Sequence, residues 1–592
     1  MTELFEPVDA WDRRLVLRGA GWLEAGPLAE LNLAGVLAAA DVHVATRLGR
    51  IGRESSPEVL LAVALAVRAV RHGSVCVDLA GAGELVDRLL GEPGRVEWPA
   101  PDEWRRAVAA SPLTGSALRL DGTLVYLDRY WEEEGAVVTD LLARTSRPAP
   151  DVDTARLDGA LARLFPGATY DEQRNAAREA VTRWTTVLTG GPGTGKTTTL
   201  ARLLAALAAT ADAPLRVALA APTGKAAARM TQALVEAVHR EDFPDADRPS
   251  VEGLAASTLH RLLGVRPDNG TRFRHHRGNR LPHDVVVVDE TSMVSLTLMA
   301  RLLEAVRPDA RLVLVGDADQ LASVEAGAVL QDIVKGFQGR PDSPVSELRT
   351  SHRFGDQIGA LAGAVREGQS DRAWELLAAG SAAVELVDPA DEDRIRELVE
   401  PPAVRLRAHA RVGDSAGALA SLREHRLLCA HREGPYGVSG WNERVERWLQ
   451  EREGRDWFPE HYAGQPLIVN TNDYGLRLWN GDTGVVVGGD DDERVALFDD
   501  AADGRPLSLA RLSDVTTAHA MTVHRSQGSQ FDAVTVLLPE DESMLLTREL
   551  FYTALTRARS TVRVVGTEAA VRAAVGRPAL RATGLRQRLE RR

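Results

Sequence analysis

Residues 190–197 read GGPGTGKT, between an apolar run (WTTVLTG) and a helical one (KTTTLARLLAALAAT). A glycine-rich loop in that position turns its backbone amides onto phosphate oxygens, and the helix after it presents its N-terminus to the same charge. Lys196 reaches the β- and γ-phosphates, and Thr197 offers a hydroxyl to Mg²⁺. The expected nucleotide ligands are therefore Gly190, Gly191, Pro192, Gly193, Thr194, Gly195, Lys196, Thr197 and Thr198. Downstream, VVVVDE ends a strand with Asp289, which suits a second contact to Mg²⁺, and Glu290, which is placed to polarise an attacking water. VGDADQL puts Gln320 just past another strand, where its amide suits a sensor of the γ-phosphate or the water. Gln173, in DEQRNAA ahead of the loop, has the donor and acceptor needed to read adenine's edge, although any helical glutamine looks alike without context. Together these parts hydrolyse ATP rather than merely hold it.

Such side chains need strands that end at one rim. WTTVLTG, LRVALAAP, DVVVVDE and ARLVLVGD are near-continuous apolar runs separated by helical stretches, which predicts a parallel sheet buried on both faces. A second alternating region begins near ELRTSHRF and resumes with FDAVTVLLP and TVRVVGT. Between them, PLIVNTNDYGLRLWNGDTGVVVGGDDDERVALF is short strands and tight turns and predicts an inserted small β-barrel. The first ~150 residues predict a mostly helical domain on the domain-size prior, with LRLDGTLVYLDRYWEEE as a hairpin running into a helix and RPAPDVD as the linker. One stretch resists this pattern. AMTVHRSQGSQFDAV breaks a strand with a basic, hydroxyl-rich turn at 524–529, with neither a nucleophile and its base nor a metal set nearby.

With 592 residues, 44% of them hydrophobic and 26% charged, the chain has globular composition and room for several cores. Two cysteines, Cys76 and Cys429, exclude a four-thiolate cluster and a disulfide framework, and point to a reducing compartment. The start, MTELFEPVDAWDRR, lacks a signal-peptide core, and VLLAVALAV is too short to cross a bilayer, so a soluble cytoplasmic protein with no membrane partner is expected. A net charge of −13 argues against coating DNA with the whole surface, but leaves a narrow strand-binding groove open.

In order, QRNAA, GGPGTGKTTT, AAPTGKAAARM, STLHRLLG, VVVDETSM, VGDADQL, SHRF, AMTVHRSQGSQFD and LFYTALTRAR resemble the successive motifs of superfamily-one DNA helicases of the RecD-type branch. The match spans about Gln173 to Ala558. The resemblance implies an α/β fold of two RecA-like P-loop lobes with parallel sheets clamping one ATP, a helical N-terminal domain and the small β-barrel inserted in the second lobe. Boundaries follow as 1–150 for a partner-binding domain, 151–348 for the first lobe, 349–460 and 516–592 for the second, and 461–515 for the insert. Arg353 and Arg557 match the family's arginine fingers. By the same carry-over the strand contacts are Pro222, Thr223, Lys225, Ser257, Thr258 and His260 in the first lobe, and Thr522, His524, Ser526 and Gln527 in the turn of the second, where Gly528 is read as permitting close backbone approach. Alone, His524 fits a structural histidine equally well. The basic stretch at 264–281, turning at Asp268–Asn269–Gly270, matches the place where relatives carry a duplex-splitting hairpin, and also fits a plain solvated hairpin.

EVLLAVALAVRAVRHGSVCVDL, RLLCAHREGPYGVSGWN and RATGLRQRL extend the resemblance to RecD-type subunits of exodeoxyribonuclease V, the RecBCD-type helicase–nuclease. That implies a 5′-to-3′ single-strand translocase in a heterotrimer with RecB-type and RecC-type partners, acting at double-strand ends in recombinational repair. Exonuclease activity then belongs to the complex, since no nuclease-like acidic set is found in the chain. Two other readings are an autonomous 5′-to-3′ helicase and an ATP-gated scaffold. Lys196, Glu290 and Arg557 speak against the scaffold, which needs none of them.

Overall fold

The computed structural model describes residues 27–90, 96–266, 269–350, 356–454, 459–473, 475–489, 494–498, 506–540 and 542–591. Arg353 and Asp268 lie outside the described residues. No described helix is long and apolar enough to cross a membrane.

The N-terminal region is helical around a three-stranded antiparallel sheet of β1 (Cys76–Asp78), β2 (Leu118–Asp121) and β3 (Leu124–Leu127), in the order β1-β3-β2. The helix Pro57–Arg71 starts well because Ser56 caps it and Pro57 needs no amide partner in the first turn. Its residues 59–66 are all buried. The RPAPDVD linker divides the chain but not the core. Val75, Cys76, Tyr126, Val137, Val138 and Leu141 pack in one cluster with Val286, Leu312, Leu314 and Ile333 of the next region. Arg144 seals this junction: it donates to Thr185 Oγ1 at 2.7 Å and to the carbonyls of Arg307 (2.9 Å), Trp184 (2.9 Å) and Ala310 (2.5 Å). A charge-assisted bond contributes about 1.5–3 kcal/mol, so the N-terminal region and the first lobe are built as one body.

The first lobe holds a six-stranded sheet. Its strands are β4 (Thr185–Gly190), β5 (Val217–Ala221), β6 (Ala256–Thr258), β9 (Val285–Val288), β10 (Arg311–Gly316) and β11 (Val345–Leu348), in the order β11-β4-β10-β9-β5-β6. Every pairing is parallel. The four valines of β9 are buried on both faces, which is why no alternation is visible in VVVV. A two-stranded hairpin, β7 (Val265–Arg266) with β8 (Asn269–Phe273), projects after the helix Leu259–Leu263.

In the second lobe, β12 (Val384–Val387), β13 (His425–Cys429), β19 (Ala520–Thr522), β20 (Phe531–Leu537) and β21 (Ala558–Val565) pair in parallel in the order β12-β21-β20-β13-β19. A closed barrel is not confirmed for the insert. Its strands β14 (Pro466–Val469), β15 (Thr483–Val487), β16 (Val495–Phe498), β17 (Leu507–Ser508) and β18 (Val515–Thr517) form an antiparallel sheet in the order β17-β16-β15-β14-β18. Among the described residues no ladder joins β17 to β18; strands of two and three residues offer few groups for closure. The C-terminus also departs from the expected boundary. Beyond the helix Glu568–Gly576 the chain leaves the second lobe, pairs Val75 N–H with Ala582 O at 2.8 Å, and packs the helix Leu585–Glu590 on the helix Val329–Gly336. Buried Glu134 anchors that end, accepting from Thr583 Oγ1 and Gly584 N–H at 3.2 Å and facing Arg588 at 3.1 Å.

Candidate functional site

Sheet order decides what meets at the rim. In a parallel sheet the loops that bind ligands leave the carboxyl ends of the strands. Here β4, β10 and β9 are neighbours, so the loop at 190–197, Asp317 and the pair Asp289–Glu290 emerge side by side. Beyond them, β5 and β6 deliver Pro222–Thr223 and Ser257–Thr258 to the same rim. A nucleotide site and a second site thus share one edge without any long-range device.

The loop is held ready. Lys196 Nζ donates to the carbonyls of Gly190 (2.6 Å) and Gly191 (3.0 Å), which are partners that a phosphate would outcompete with full charge. Thr194 Oγ1 donates to Gly191 O at 2.9 Å, and Gln173 Nε2 to Thr194 O at 3.3 Å, so Gln173 braces the loop from its helix. Asp289 is held up to about 6 by burial first and by the charge of Glu290 second, with Lys196 pulling the other way. Glu290 takes a left-handed backbone (φ 50°), uncommon outside glycine, and its N–H donates to Asp289 Oδ1 at 2.8 Å. Among the described residues no three His, Cys, Asp or Glu side chains gather as a metal site. Thr197 and Asp289 fit a cation that takes its remaining ligands from phosphates and water, as Mg²⁺ does.

Across the cleft, the second lobe closes on this rim. Tyr552 donates its hydroxyl to Asp317 Oδ2 at 3.1 Å and lies 3.0 Å from where a Cβ on Gly191 would sit. Gln320 Nε2 donates to the same carboxylate at 3.0 Å, so here it orients Asp317. Burial raises Asp317, and Lys196 is the largest influence opposing that. The backbone of Leu321 is gripped from both sides: its N–H donates to Thr553 Oγ1 at 2.9 Å and its carbonyl accepts from Gln527 Nε2 at 3.0 Å. Arg557, only 4% exposed, donates to Thr553 O (3.1 Å) and Ser529 O (3.3 Å). Burial lowers its pKa, and the charges of Glu290 and Asp317 act in the opposite direction. Tyr552 and Thr553 went unread in the sequence, because LFYTALTRAR names them only by neighbourhood.

The second site is a channel of about 1830 Å³ beside the cleft. Pro222, Thr223, Thr258 and His260 line it from the first lobe, and Thr522, His524 and Gln527 from the second. Hairpin residue Val265, half exposed, stands at its edge. Burial takes His524 down to about 4, and Arg581 and Arg432 add to that, so its ring is neutral at pH 7.

Several expected strand contacts, Gln527 and Lys225 of the channel lining among them, also bond within the chain. Ser526 is fully buried and donates to Val523 O at 2.7 Å, closing the turn. Gln527 holds Leu321, as above. Lys225 is buried and donates to Gly481 O of the insert at 2.8 Å, because the Trp479 ring packs against Gly224. Ser257 is half-buried and does not line the channel. Thr223 and Thr258 accept Ala226 N–H and Arg261 N–H as helix caps, which leaves each O–H able to donate. Gly528 has a φ of 73°, a left-handed backbone that favours glycine, and open space where a Cβ would stand.

Sequence comparison finds three family matches: the AAA domain at residues 173–326, the UvrD-like helicase C-terminal domain at 517–565, and the N-terminal domain of RecBCD enzyme subunit RecD at 33–126. The RecBCD enzyme subunit RecD of Mycolicibacterium smegmatis is 58% identical over 94% of this chain and 98% of its own length. That of Mycobacterium tuberculosis is 56% identical over 96% of this chain and 97% of its own. The ATP-dependent RecD2 DNA helicase of Deinococcus radiodurans is 32% identical over 74% of this chain but only 54% of its own length.

Proposed function

The chain belongs to the RecD family of RecBCD enzyme subunits, and from that premise we propose how the cleft and the channel work together. It is an ATP-dependent DNA helicase, the motor subunit of a RecBCD-type enzyme with RecB-type and RecC-type partners, and exonuclease activity belongs to the complex. It acts in the cytoplasm and moves 5′-to-3′ along a single strand, unwinding duplex from double-strand ends.

The amides of 190–197 and Lys196 bind the triphosphate, with Gln173 bracing the loop that receives it. Thr197 and Asp289 would hold Mg²⁺, which when bound supplies Lewis-acid stabilisation of the phosphoryl oxygens. Glu290 orients and deprotonates the attacking water. Gln320 and Tyr552 fix Asp317 toward Lys196, and Arg557 brings a guanidinium from the opposite lobe to the developing charge. Arg353 has the same role by motif. The strand runs through the channel against Pro222, Thr223, Thr258 and His260 on one side and Thr522 and His524 on the other. The hairpin at its edge is the duplex wedge, set against about 1.4 kcal/mol of stacking per base-pair step.

One observation carries this reading. The Leu321 peptide sits one residue past Gln320 of the ATP site and is held by Gln527 of the channel turn. A change in either site would therefore move the other through the backbone of one residue.

Co-purification from the native cell, followed by strand displacement on duplexes tailed at either end, tests it. RecB-type and RecC-type partners should co-purify, and unwinding that starts on a 5′ tail should vanish with Lys196→Gln in the assembled enzyme. A chain that purifies alone and unwinds processively would establish the autonomous helicase instead. Unchanged speed and polarity in Lys196→Gln would establish the scaffold.

A further inference from the structure

The channel has a third wall that neither lobe supplies. The end of the helix Pro57–Arg71 with His72 and Ser74, and the C-terminal segment at 577–582, line it as well. Several arginines stand on this perimeter, Arg525 among them, and two come from elements that meet at the channel. Arg581 and Arg432 both line the channel, and neither makes an ion pair among the described residues. Arg432 is exposed, with no side-chain hydrogen bond among them.

Their placement follows from the fold. β13 and β19 are parallel neighbours in register at Cys429 and Thr522, and Val523 N–H donates to Cys429 O at 3.0 Å. Arg432 and His524 therefore leave the sheet together at the channel rim. Arg581 comes from the other side. Its Nη1 is seated on the carbonyls of Gly73 (3.3 Å) and Glu325 (3.0 Å), and no other hydrogen bond of its guanidinium forms among the described residues. A Cβ on Gly73 would stand 2.8 Å from Nη1, and Gly73 has a φ of 81°, so this seat requires glycine. Both cations bear on the His524 ring, and only Glu549 adds an opposing charge at Arg581. A rigidly seated fork of N–H donors, a second free guanidinium and a neutral imidazole around one channel are complementary to a phosphate.

We propose that Arg581 and Arg432 hold backbone phosphates of the single strand, so that the N-terminal region and the C-terminal segment close the channel over the DNA. The proposal rests on the reading of that channel as the strand's path. It gives the C-terminal crossing a purpose: it carries Arg581 from the second lobe to a seat on the body formed by the N-terminal region and the first lobe.

The test uses the full chain and a fluorescently labelled oligothymidylate, with affinity measured by anisotropy across a range of salt. Each phosphate contact on a single strand contributes about 0.7 to the slope of log K against log salt. Arg581→Gln and Arg432→Gln should each lower that slope by about 0.7 and weaken binding about fourfold near 0.15 M salt, with nucleotide affinity unchanged. Arg581→Lys should restore the slope, which a merely structural arginine has no reason to do. His524→Ala and His260→Ala serve as channel controls. A wild-type slope in both glutamine variants, with binding weakened in the histidine variants, overturns the proposal and leaves the strand path standing. Full binding in all four variants overturns the path as well. If Arg581→Gln fails to fold, Arg432→Gln still decides: exposed and unpaired, it leaves the fold intact, and an unchanged slope there sinks the idea.

Discussion

Thr553→Val should uncouple DNA binding from ATP hydrolysis without damaging either site. Thr553 is fully buried, and its hydroxyl accepts the N–H of Leu321 across the lobe interface at 2.9 Å. Valine matches its shape, so no cavity opens, but the Leu321 N–H is left buried and unpaired when the lobes close. That penalty is about 1–3 kcal/mol. When the lobes part, water satisfies the same N–H, so the whole penalty falls on the closed state. At about 1.4 kcal/mol per tenfold, the closed-to-open ratio drops about 5- to 150-fold. ATPase turnover titrated with single-stranded DNA reads this directly: the stimulated rate should fall, by at most that factor, while the basal rate and nucleotide affinity hold. Equal loss of basal and stimulated rates would mean that the variant damages the nucleotide site itself, and undiminished stimulation would mean that the Leu321 peptide is not the coupling element. Either result refutes the argument from the gripped peptide.

Arg557→Ala should keep nucleotide-analogue binding and lose about 10³-fold or more of DNA-stimulated hydrolysis; undiminished turnover in a steady-state assay removes its role across the cleft. Glu290→Gln should bind ATP and strand normally while hydrolysis falls about 10²–10⁴-fold, measured in single-turnover mixing. Asp332, on the helix Val329–Gly336 under the C-terminal helix, is buried, its Oδ2 lacks a hydrogen-bond partner, and burial pushes its pKa up to about 7 from 3.8. The folded state therefore holds its proton more tightly than the unfolded one. The ionised form costs nothing below about pH 4, costs progressively more as pH rises toward 7, and stays at that level above. Asp332→Asn should accordingly raise the melting temperature more at pH 8.5 than at pH 5, and a gain independent of pH would show that this carboxyl is not the strained group.

What the sequence made legible follows from how local each signal is. The placement of the loop at 190–197 and of Asp289–Glu290 at the ends of neighbouring strands was legible because a phosphate loop is built from one strand, one turn and one helix. Both parallel sheets announced themselves through runs such as VVVV in β9. The roles of side chains that act between segments were not readable. Gln527, Lys225 and Ser526 sit in motifs that mark them as strand contacts, yet in this closed arrangement they hold Leu321 O, Gly481 O and Val523 O. A motif fixes which residues gather; which partner each one takes depends on what the opposite lobe offers, and that is a property of packing. The same reason hid the shared core behind RPAPDVD. A linker is visible as composition, whereas the burial of Tyr126 and Val137 against Val286 and Leu314 joins residues far apart in the chain. The consequence for the motor is mechanical. With the N-terminal region fused to the first lobe by Arg144 and a common core, and the last helix returning to that same body, the second lobe is tethered at both of its chain ends. The second lobe therefore moves against a body that also holds the chain beyond it, through the crossing at 577–582, and a short, guided closure suits a machine that must advance along a strand without letting it go.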